Sequence, residues 1–304
     1  MKEPLWEILQ QVEDLQRATA SINRIAELRQ IRPTIQDGAG VEFPQEALGV
    51  HFDAVTFHYE DDLSTKILDE ITFQLEPGKV LGVLGRTGSG KSTLTRLILR
   101  FYDPTSGTIR VGSPNSSHNG GQMHDIRQAR QADLRRSVSM VTQEVQLFQT
   151  TVRNNLTLFD DSIPEERILQ VIDSVGLGSW FSALPKGLDS ILEQDNTGLS
   201  AGEAQLLAFG RVFLTNPGLV ILDEASSRLD PHTERLIERA VDQLLENRTG
   251  IIIAHRLATV QRADEILILD DGRIAESGRR TDLIRDPNSI FSTLLRTGLQ
   301  EALT

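Results

Sequence analysis

Hydrophobic residues recur at intervals of three and four over residues 4–30, at the start of the chain. This spacing predicts an amphipathic helix, because residues three or four apart share one helix face. Its apolar positions are Leu5, Ile8, Leu9, Val12, Leu15, Ile22, Ile25 and Leu28. Pro33, followed by Asp37 and Gly38, predicts that a linker replaces the helix, so we expect a first domain of helix and linker over residues 1–40. Periodicity alone leaves open whether the helix packs on its own domain.

The pattern changes to that of β-strands after residue 50. Alternating runs at 51–57 and 71–75 predict half-buried antiparallel strands, and the continuous apolar run at 80–84 predicts a central parallel strand. Further apolar runs are separated by helical patterns, which is typical of a layered α/β fold. These later strands are predicted at 138–141, 219–222, 250–254 and 266–269, with a hairpin turn leading into 273–276 and two short helices at the end. Residues 112–124, rich in Gly, Ser, Asn and His, predict an exposed loop.

Composition and charge exclude several classes of function. No run of apolar residues is long enough for a membrane-spanning helix and no signal-peptide pattern begins the chain, so we expect the chain as given to be soluble. The absence of cysteine excludes disulfides and thiolate chemistry. A formal net charge of −12 opposes binding to nucleic acid or to anionic lipid, so we expect protein partners at any membrane.

A glycine-rich motif carries the clearest chemistry. Residues 85–92 match the phosphate-loop pattern G-x-x-x-x-G-K-[ST] between a strand and a predicted helix, where backbone N–H groups can surround phosphate oxygens. Lys91 is expected to reach the β- and γ-phosphates of a nucleotide and Ser92 to bind Mg²⁺. The residues of this motif are Gly85, Arg86, Thr87, Gly88, Ser89, Gly90, Lys91 and Ser92.

An acidic pair follows the apolar run 219–222. Asp223 and Glu224 would emerge at the carboxyl end of a parallel strand, where α/β folds bind their ligands. Adjacent side chains on a strand point in opposite directions, so the two acids should have different roles. We expect Asp223 to hold Mg²⁺ through water and Glu224 to orient or deprotonate the attacking water. An acidic pair alone is typical of a plain turn, but beside a phosphate loop the functional interpretation is favoured.

Several further motifs, in order, resemble those of the ATP-binding-cassette (ABC) transporter family, over residues 51 to about 297. Residues 199–205 resemble its signature sequence, and Ser226 to Asp230 its D-loop. Gln143 after Val141 is similar to the Q-loop glutamine, His255 to the switch histidine, and Tyr59 to the A-loop aromatic that stacks on adenine.

The resemblance implies a P-loop NTPase of the ABC-ATPase fold over residues 41–304, with a mainly parallel core sheet, an antiparallel β subdomain and a helical subdomain at about 150–215. It implies a head-to-tail dimer in which each ATP lies between one chain's phosphate loop and the other chain's signature. The implied catalytic residues are Lys91, Gln143, Glu224 and His255, and the implied Mg²⁺ ligands are Ser92, Gln143 and Asp223. The implied nucleotide-binding residues are Tyr59, residues 85–92, Thr93, Gln143, Asp223, Ser200, Gly202, Glu203 and Asp230.

The signature departs from the family pattern at Ala201, in place of glycine, and Glu203, in place of glutamine. Ser200 and Glu203 have the spacing of a capping box, which satisfies two free N–H groups at a helix start. The negative charge of Glu203 should weaken contact with phosphate unless its side chain turns back onto its own helix. The sequence therefore leaves two alternatives open: an active ATPase, or the regulatory half of a heterodimer with an impaired shared site.

Residues 20–28 and 150–156 resemble the corresponding segments of ABC exporters. This resemblance implies an ATPase domain that powers export of an unknown substrate, joined to a transmembrane domain in one polypeptide, at the cytoplasmic side of the plasma (inner) membrane. A homodimer and a heterodimer both remain open. A non-transport ABC clamp protein is a further alternative, which the acidic composition and the lack of a second cassette disfavour.

Overall fold

The computed structural model describes residues 3–30, 33–59, 65–114, 122–142, 144–192, 199–223, 230–254 and 257–297. The chain divides into two compact units, Met1–Gln36 and Asp37–Thr304. The first unit contains helix α1 (Glu3–Gln30), so the predicted helix is confirmed. Its apolar residues between 12 and 28 are exposed, with 45–67% of their surface accessible.

A six-stranded sheet forms the centre of the second unit, with the order β10-β9-β3-β8-β7-β6. Its strands are β3 (Val80–Gly85), β6 (Val138–Val141), β7 (Leu219–Asp223), β8 (Thr249–Ile253), β9 (Glu265–Asp270) and β10 (Arg273–Arg279). Strand β3 lies between β8 and β9 and runs parallel to both, as the apolar run at 80–84 predicts. Strand β7 runs parallel to β6 and β8, and only β10 is antiparallel to its neighbour.

A second, four-stranded sheet is antiparallel and has the order β2-β1-β4-β5. Its strands are β1 (Gly49–Phe57), β2 (Leu68–Leu75), β4 (Ser106–Gly112) and β5 (Met123–Asp125). The prediction of a loop over residues 112–124 was wrong at both ends, because Gly112 belongs to β4 and pairs with Met123 of β5. Residues 115–121 of that loop lie outside the described residues.

Ten further α-helices surround the sheets in the described part of the second unit. They are α2 (Lys91–Ile98), α3 (Gln131–Ser137), α4 (Val152–Thr157), α5 (Glu165–Ser174), α6 (Gly178–Ser182), α7 (Ala201–Thr215), α8 (Pro231–Leu245), α9 (Leu257–Val260), α10 (Arg280–Arg285) and α11 (Ile290–Thr297). Helices α4 and α5 pack against α7 and form a helical group beside the core sheet. Within the described residues, no helix combines the length and the apolar character needed to cross a membrane.

Strands β3, β7, β8 and β9 are buried on both faces of the core sheet because they are largely apolar, whereas β10 is polar and partly exposed. Side chains alternate between faces along a strand, so Leu219 and Ile221 join one apolar cluster while Val220 and Leu222 join the other. The first cluster includes the antiparallel sheet and α2, and the second includes the helical group with α8. The two layers hold the carboxyl ends of the core strands in fixed positions.

Replacing Ile251 by alanine tests this packing, because Ile251 lies on β8 near the middle of the core sheet and is 0% exposed. We expect the free energy of unfolding, measured by urea denaturation, to fall by about 2–5 kcal/mol. The control Ile284→Ala removes the same atoms from α10 at a side chain that is 41% exposed. An equal effect of the two substitutions would contradict the described core.

Candidate nucleotide-binding site

The phosphate-loop motif forms a tight turn between β3 and α2. Gly85, Gly88 and Gly90 have φ angles of +147°, +85° and +102°, in the region that glycine adopts without steric cost. A Cβ atom on Gly85 would lie closer than 3.0 Å to the Leu269 carbonyl oxygen, and one on Gly90 would lie 2.6 Å from Cδ2 of Leu68. Glycine is therefore required at 85 and 90 by packing as well as by backbone conformation, and at 88 by conformation alone.

Lys91 begins α2 and holds its ammonium group against the loop. Nζ donates to the carbonyl oxygens of Gly85 at 2.7 Å and Arg86 at 2.8 Å, and the residue is 6% exposed. An ammonium has three N–H donors, so these bonds leave one for a phosphate oxygen. Burial lowers the pKa of Lys91 below its ordinary value, and the negative charge of Asp223 opposes that shift. The loop thus places a desolvated cation where a phosphate would bind.

Ser89 supplies an independent test of whether a phosphate group fits the loop. Its Oγ is buried and has no hydrogen-bond partner among the described residues, while its backbone N–H donates to the Arg86 carbonyl at 3.1 Å. Leaving such a group unsatisfied costs about 1–3 kcal/mol. A phosphate oxygen would accept its hydrogen bond, so the loop fits a nucleotide's phosphates in shape and in chemistry.

Asp223 lies at the same edge of the core sheet as the phosphate loop. In the strand register, Ile253 of β8 pairs with Val83 on one side and Asp223 on the other. Two strand spacings therefore separate the Val83 and Asp223 backbones, which is about 9–10 Å. Asp223 also interacts electrostatically with Lys91, and Ser92 is exposed in the first turn of α2.

Described parts of the chain contain no group of three or more His, Cys, Asp or Glu side chains that would hold a metal by themselves. Protein sites for Mg²⁺ usually supply one or two carboxylates and take further ligands from phosphates and water. Ser92 and Asp223 match that limited donor set, so the residues fit a magnesium ion that arrives with a nucleotide.

Tyr59 follows β1, and its hydroxyl contacts helix α2, which begins in the phosphate loop. Its hydroxyl lies 3.1 Å from Oγ1 of Thr93 and accepts a hydrogen bond from Nη1 of Arg96 at 3.1 Å. Its ring makes edge contacts with Phe57 at 4.9 Å and Tyr102 at 5.2 Å between centroids. Sequence reasoning missed Arg96 and Tyr102, since an arginine on a helix and an aromatic after it carry no signal of this contact.

The signature segment begins α7 with the predicted capping box. Oγ of Ser200 accepts from the Glu203 N–H at 3.2 Å, and Oε2 of Glu203 accepts from the Ser200 N–H at 2.8 Å. The carboxylate of Glu203 is therefore turned back onto its own helix, where it also offsets the positive end of the helix dipole. Gly202, in the first turn, is buried.

Asp230 forms the N-cap of α8 and accepts hydrogen bonds from the His232 and Thr233 N–H groups, both at 3.0 Å. The Thr233 side-chain hydroxyl is the main cause that lowers the pKa of Asp230, followed by the Thr233 N–H. Three of the predicted catalytic or metal-binding residues lie outside the described residues, as does the D-loop segment 226–229. These residues are Gln143, Glu224 and His255.

A buried polar network holds the segment that follows position 143. Asn155 is 0% exposed, and its side chain donates to the Phe148 carbonyl and accepts from the Phe148 N–H, both at 2.9 Å. Nε of Arg211 on α7 donates to the Asn155 carbonyl at 2.7 Å, and burial lowers the pKa of Arg211. The network ties residues 146–155 to the helix that begins at the signature. Sequence analysis missed it, although a lone arginine among the apolar residues of α7 was a usable signal.

Comparison with known proteins gives consistent matches. The family model described as "ABC transporter" matches residues 68–227. The chain is 34% identical over 291 residues, covering 96% of it, to the toxin RTX-I translocation ATP-binding protein of Actinobacillus pleuropneumoniae and to the leukotoxin export ATP-binding protein LtxB of Aggregatibacter actinomycetemcomitans. The chain spans 40% of the length of each of these relatives.

Among solved structures, the chain matches a bacterial Atm1-family ABC exporter with ATP bound, with a TM-score of 0.78 and 29% sequence identity. The match covers 93% of this chain and 47% of the exporter chain.

Lys91→Ala should weaken ATP binding roughly ten- to hundredfold, because it removes a charge-assisted hydrogen bond worth about 1.5–3 kcal/mol. Isothermal titration calorimetry with Mg-ATP measures this change. Lys79→Ala is the matched control, because the Lys79 side chain is 51% exposed and pairs with Asp264 on the surface. Wild-type affinity in the Lys91 variant would contradict the phosphate-binding role of the loop.

Glu203→Ala should lower the free energy of unfolding by about 0.5–2 kcal/mol, since it removes half of the capping box. Glu203→Gln should retain wild-type stability, because an amide oxygen can accept the same bond from the Ser200 N–H. Chemical denaturation of the two variants distinguishes these outcomes. Equal stability of the alanine variant and the wild type would show that the box contributes nothing.

Proposed function

This chain belongs to the ABC transporter family, and we propose that it binds ATP with Mg²⁺ and hydrolyses ATP to power export through a membrane-spanning partner. The observation that carries the proposal is the phosphate loop, where Lys91 is buried against two loop carbonyls and Ser89 has a buried hydroxyl without a partner. The two carbonyls use two of the three N–H donors of Lys91, and the Ser89 hydroxyl has no partner among the described residues. A nucleotide's phosphates supply one.

In the proposed mechanism, catalysis depends on positioning the nucleotide and the attacking water and on neutralising the negative charge of the phosphates. Lys91 and the N–H groups at the start of α2 bind the phosphates, and Tyr59 positions the base. Ser92, Asp223 and Gln143 would hold Mg²⁺, which neutralises charge on the phosphates when bound. Glu224 orients or deprotonates water.

His255 is assigned to the same reaction by family resemblance. The roles of Gln143, Glu224 and His255 rest on that resemblance and on their places after β6, β7 and β8. Each of these strands ends at the edge of the sheet where β3 leads into the phosphate loop, which supports one shared site.

The proposed working unit is a head-to-tail dimer of two ABC ATPase domains. Ser200, Gly202 and Glu203 of one chain would contact the ATP held by the phosphate loop of the other, with Asp230 nearby. The capping box supports a competent signature, because the Glu203 carboxylate is engaged by the Ser200 N–H rather than directed away from the helix. This geometry favours active hydrolysis over the alternative of an impaired regulatory half.

The proposed membrane partner is a transmembrane domain, joined to this domain in the complete protein and placing it at the cytoplasmic side of the inner membrane. The share of the relatives that the chain spans, 40%, leaves room for such a domain. The relatives include a toxin translocator, a leukotoxin exporter and an Atm1-family exporter. Their names share ATP and either translocation or export, which supports export as the process that this domain powers.

Glu224→Gln tests the hydrolytic role. We expect ATP affinity to be retained and steady-state ATP turnover to fall about hundredfold or more, because a positioned base contributes 10²–10⁴-fold. A phosphate-release assay measures turnover, and calorimetry measures affinity. The control Glu166→Gln makes the same change at an exposed position on α5 and should leave both unchanged. Undiminished turnover in the Glu224 variant would refute its assignment.

A further inference from the structure

The start of the second unit, residues 37–40, is fastened to the turn that precedes α3. The N–H of Gly38 donates to the Ala129 carbonyl at 3.1 Å, and the N–H of Gly40 donates to the Gln128 carbonyl at 3.0 Å. Asp37 adds a side-chain bond, since its Oδ1 accepts from the Gln131 N–H at 2.8 Å. We call residues 37–40 the linker anchor.

Gly38 is the position where the linker anchor lies closest to this turn. A Cβ atom there would lie closer than 3.0 Å to the carbonyl carbon and oxygen of Gln128 and to the carbonyl oxygen of Arg127. All of these are backbone atoms, which cannot rotate away as a side chain can. Any residue other than glycine would therefore push the linker off the turn.

Arg100 holds the same turn from the other side. It follows the end of α2 with φ +53°, and the bonds from Arg100 N to Leu97 O (3.0 Å) and from Phe101 N to Arg96 O (2.9 Å) form a Schellman motif. That position favours glycine, and an arginine there costs about 1–2 kcal/mol.

The side chain of Arg100 offsets this cost. It is 3% exposed, and its Nε donates to Oδ1 of Asp103 at 3.0 Å. Its Nη1 donates to the Ala129 carbonyl at 2.9 Å. The guanidinium is thus committed to the turn that carries the linker anchor.

The Ala129 carbonyl is the meeting point of these contacts. A carbonyl oxygen has two lone pairs, and this one accepts from both Arg100 and Gly38. Helix α2 spans only eight residues from Lys91, in the phosphate loop, to Ile98, just before Arg100. One short buried helix therefore connects the nucleotide site to the linker anchor.

We infer that Arg100 is a positioning residue that couples the phosphate loop to the linker anchor, so that bound nucleotide strengthens the hydrogen bonds between residues 37–40 and the Ala129 turn. The inference rests on the proposed function, because it requires ATP at the phosphate loop. Opening of the anchor frees the Ala129 turn and loosens the end of α2. ATP, which binds the ordered α2, opposes that opening.

Amide hydrogen exchange on the full chain tests the coupling directly. In the wild type, saturating Mg-ATP should slow exchange at Gly38 and Gly40 about fivefold or more, the usual size of coupling between sites. Arg100→Gly removes the side chain with its guanidinium and leaves a residue that favours the left-handed conformation, so ATP should still bind but no longer slow exchange at these amides. Arg127→Ala is the control, because Arg127 lies on the same turn but pairs with Asp125. It should retain the wild-type response.

Gly38→Ala provides a second test that does not depend on the folding of the Arg100 variant. Coupling is reciprocal, so release of the anchor should weaken ATP affinity about fivefold although residue 38 lies outside the phosphate loop. Gly278→Ala is the matched control, since a Cβ there would meet Leu283 at 3.4 Å, an ordinary contact. Its ATP affinity should not change.

The outcomes separate this inference from the proposed function. If ATP binds the wild type but leaves exchange at Gly38 and Gly40 unchanged, or if Arg100→Gly retains the full ATP response, the coupling is overturned and the ATPase proposal stands. Unchanged ATP affinity in Gly38→Ala likewise overturns the coupling. If calorimetry detects no ATP binding to the wild type, the proposed function fails and the inference fails with it.

Discussion

The close approach of the phosphate loop to strand β9 is the constraint on which the site depends. Gly85 lies against the Leu269 carbonyl with no room for a side chain, and this contact allows the loop to turn back over the end of β3. This conformation of the loop positions the Gly85 and Arg86 carbonyl oxygens that hold Lys91, and it leaves the Ser89 hydroxyl buried. The protein thus organises a desolvated cation in advance, and electrostatic stabilisation of phosphoryl transfer requires such a fixed charge.

The register of the core sheet extends this local arrangement to the rest of the site. Strand β8 lies between β3 and β7, so Asp223 and the phosphate loop meet at one edge although more than 130 residues separate them in the chain. The same layers bring the end of α2 and the Ala129 turn together, where Arg100 donates to the Ala129 carbonyl. A ligand at one end of a short, buried helix can therefore influence contacts at its other end.

Much of this architecture could be predicted from local pattern. Strands β3, β7, β8 and β9 have continuous apolar runs because both of their faces are buried, and the family and its fold followed from the order of the motifs. Strands β4 and β5 were missed because Gly, Ser, Thr and Arg dominate β4 and β5 has only three residues. The capping box was predictable because both partners lie within one turn. Arg96 and Arg100 were not, since the Tyr59 hydroxyl and the Ala129 carbonyl that they contact lie on other elements and no local pattern marks them.

Binding of ATP phosphates at residues 85–92 is the interaction on which the proposed function depends, and NMR of isotope-labelled protein during a titration with Mg-ATP measures it residue by residue. The largest changes in backbone amide resonances should occur at residues 86–92, with smaller changes at Tyr59, because the N–H groups of the loop would form new bonds to phosphate oxygens. Changes confined to other parts of the protein, or none at nucleotide concentrations in the millimolar range, would show that these residues do not bind the nucleotide.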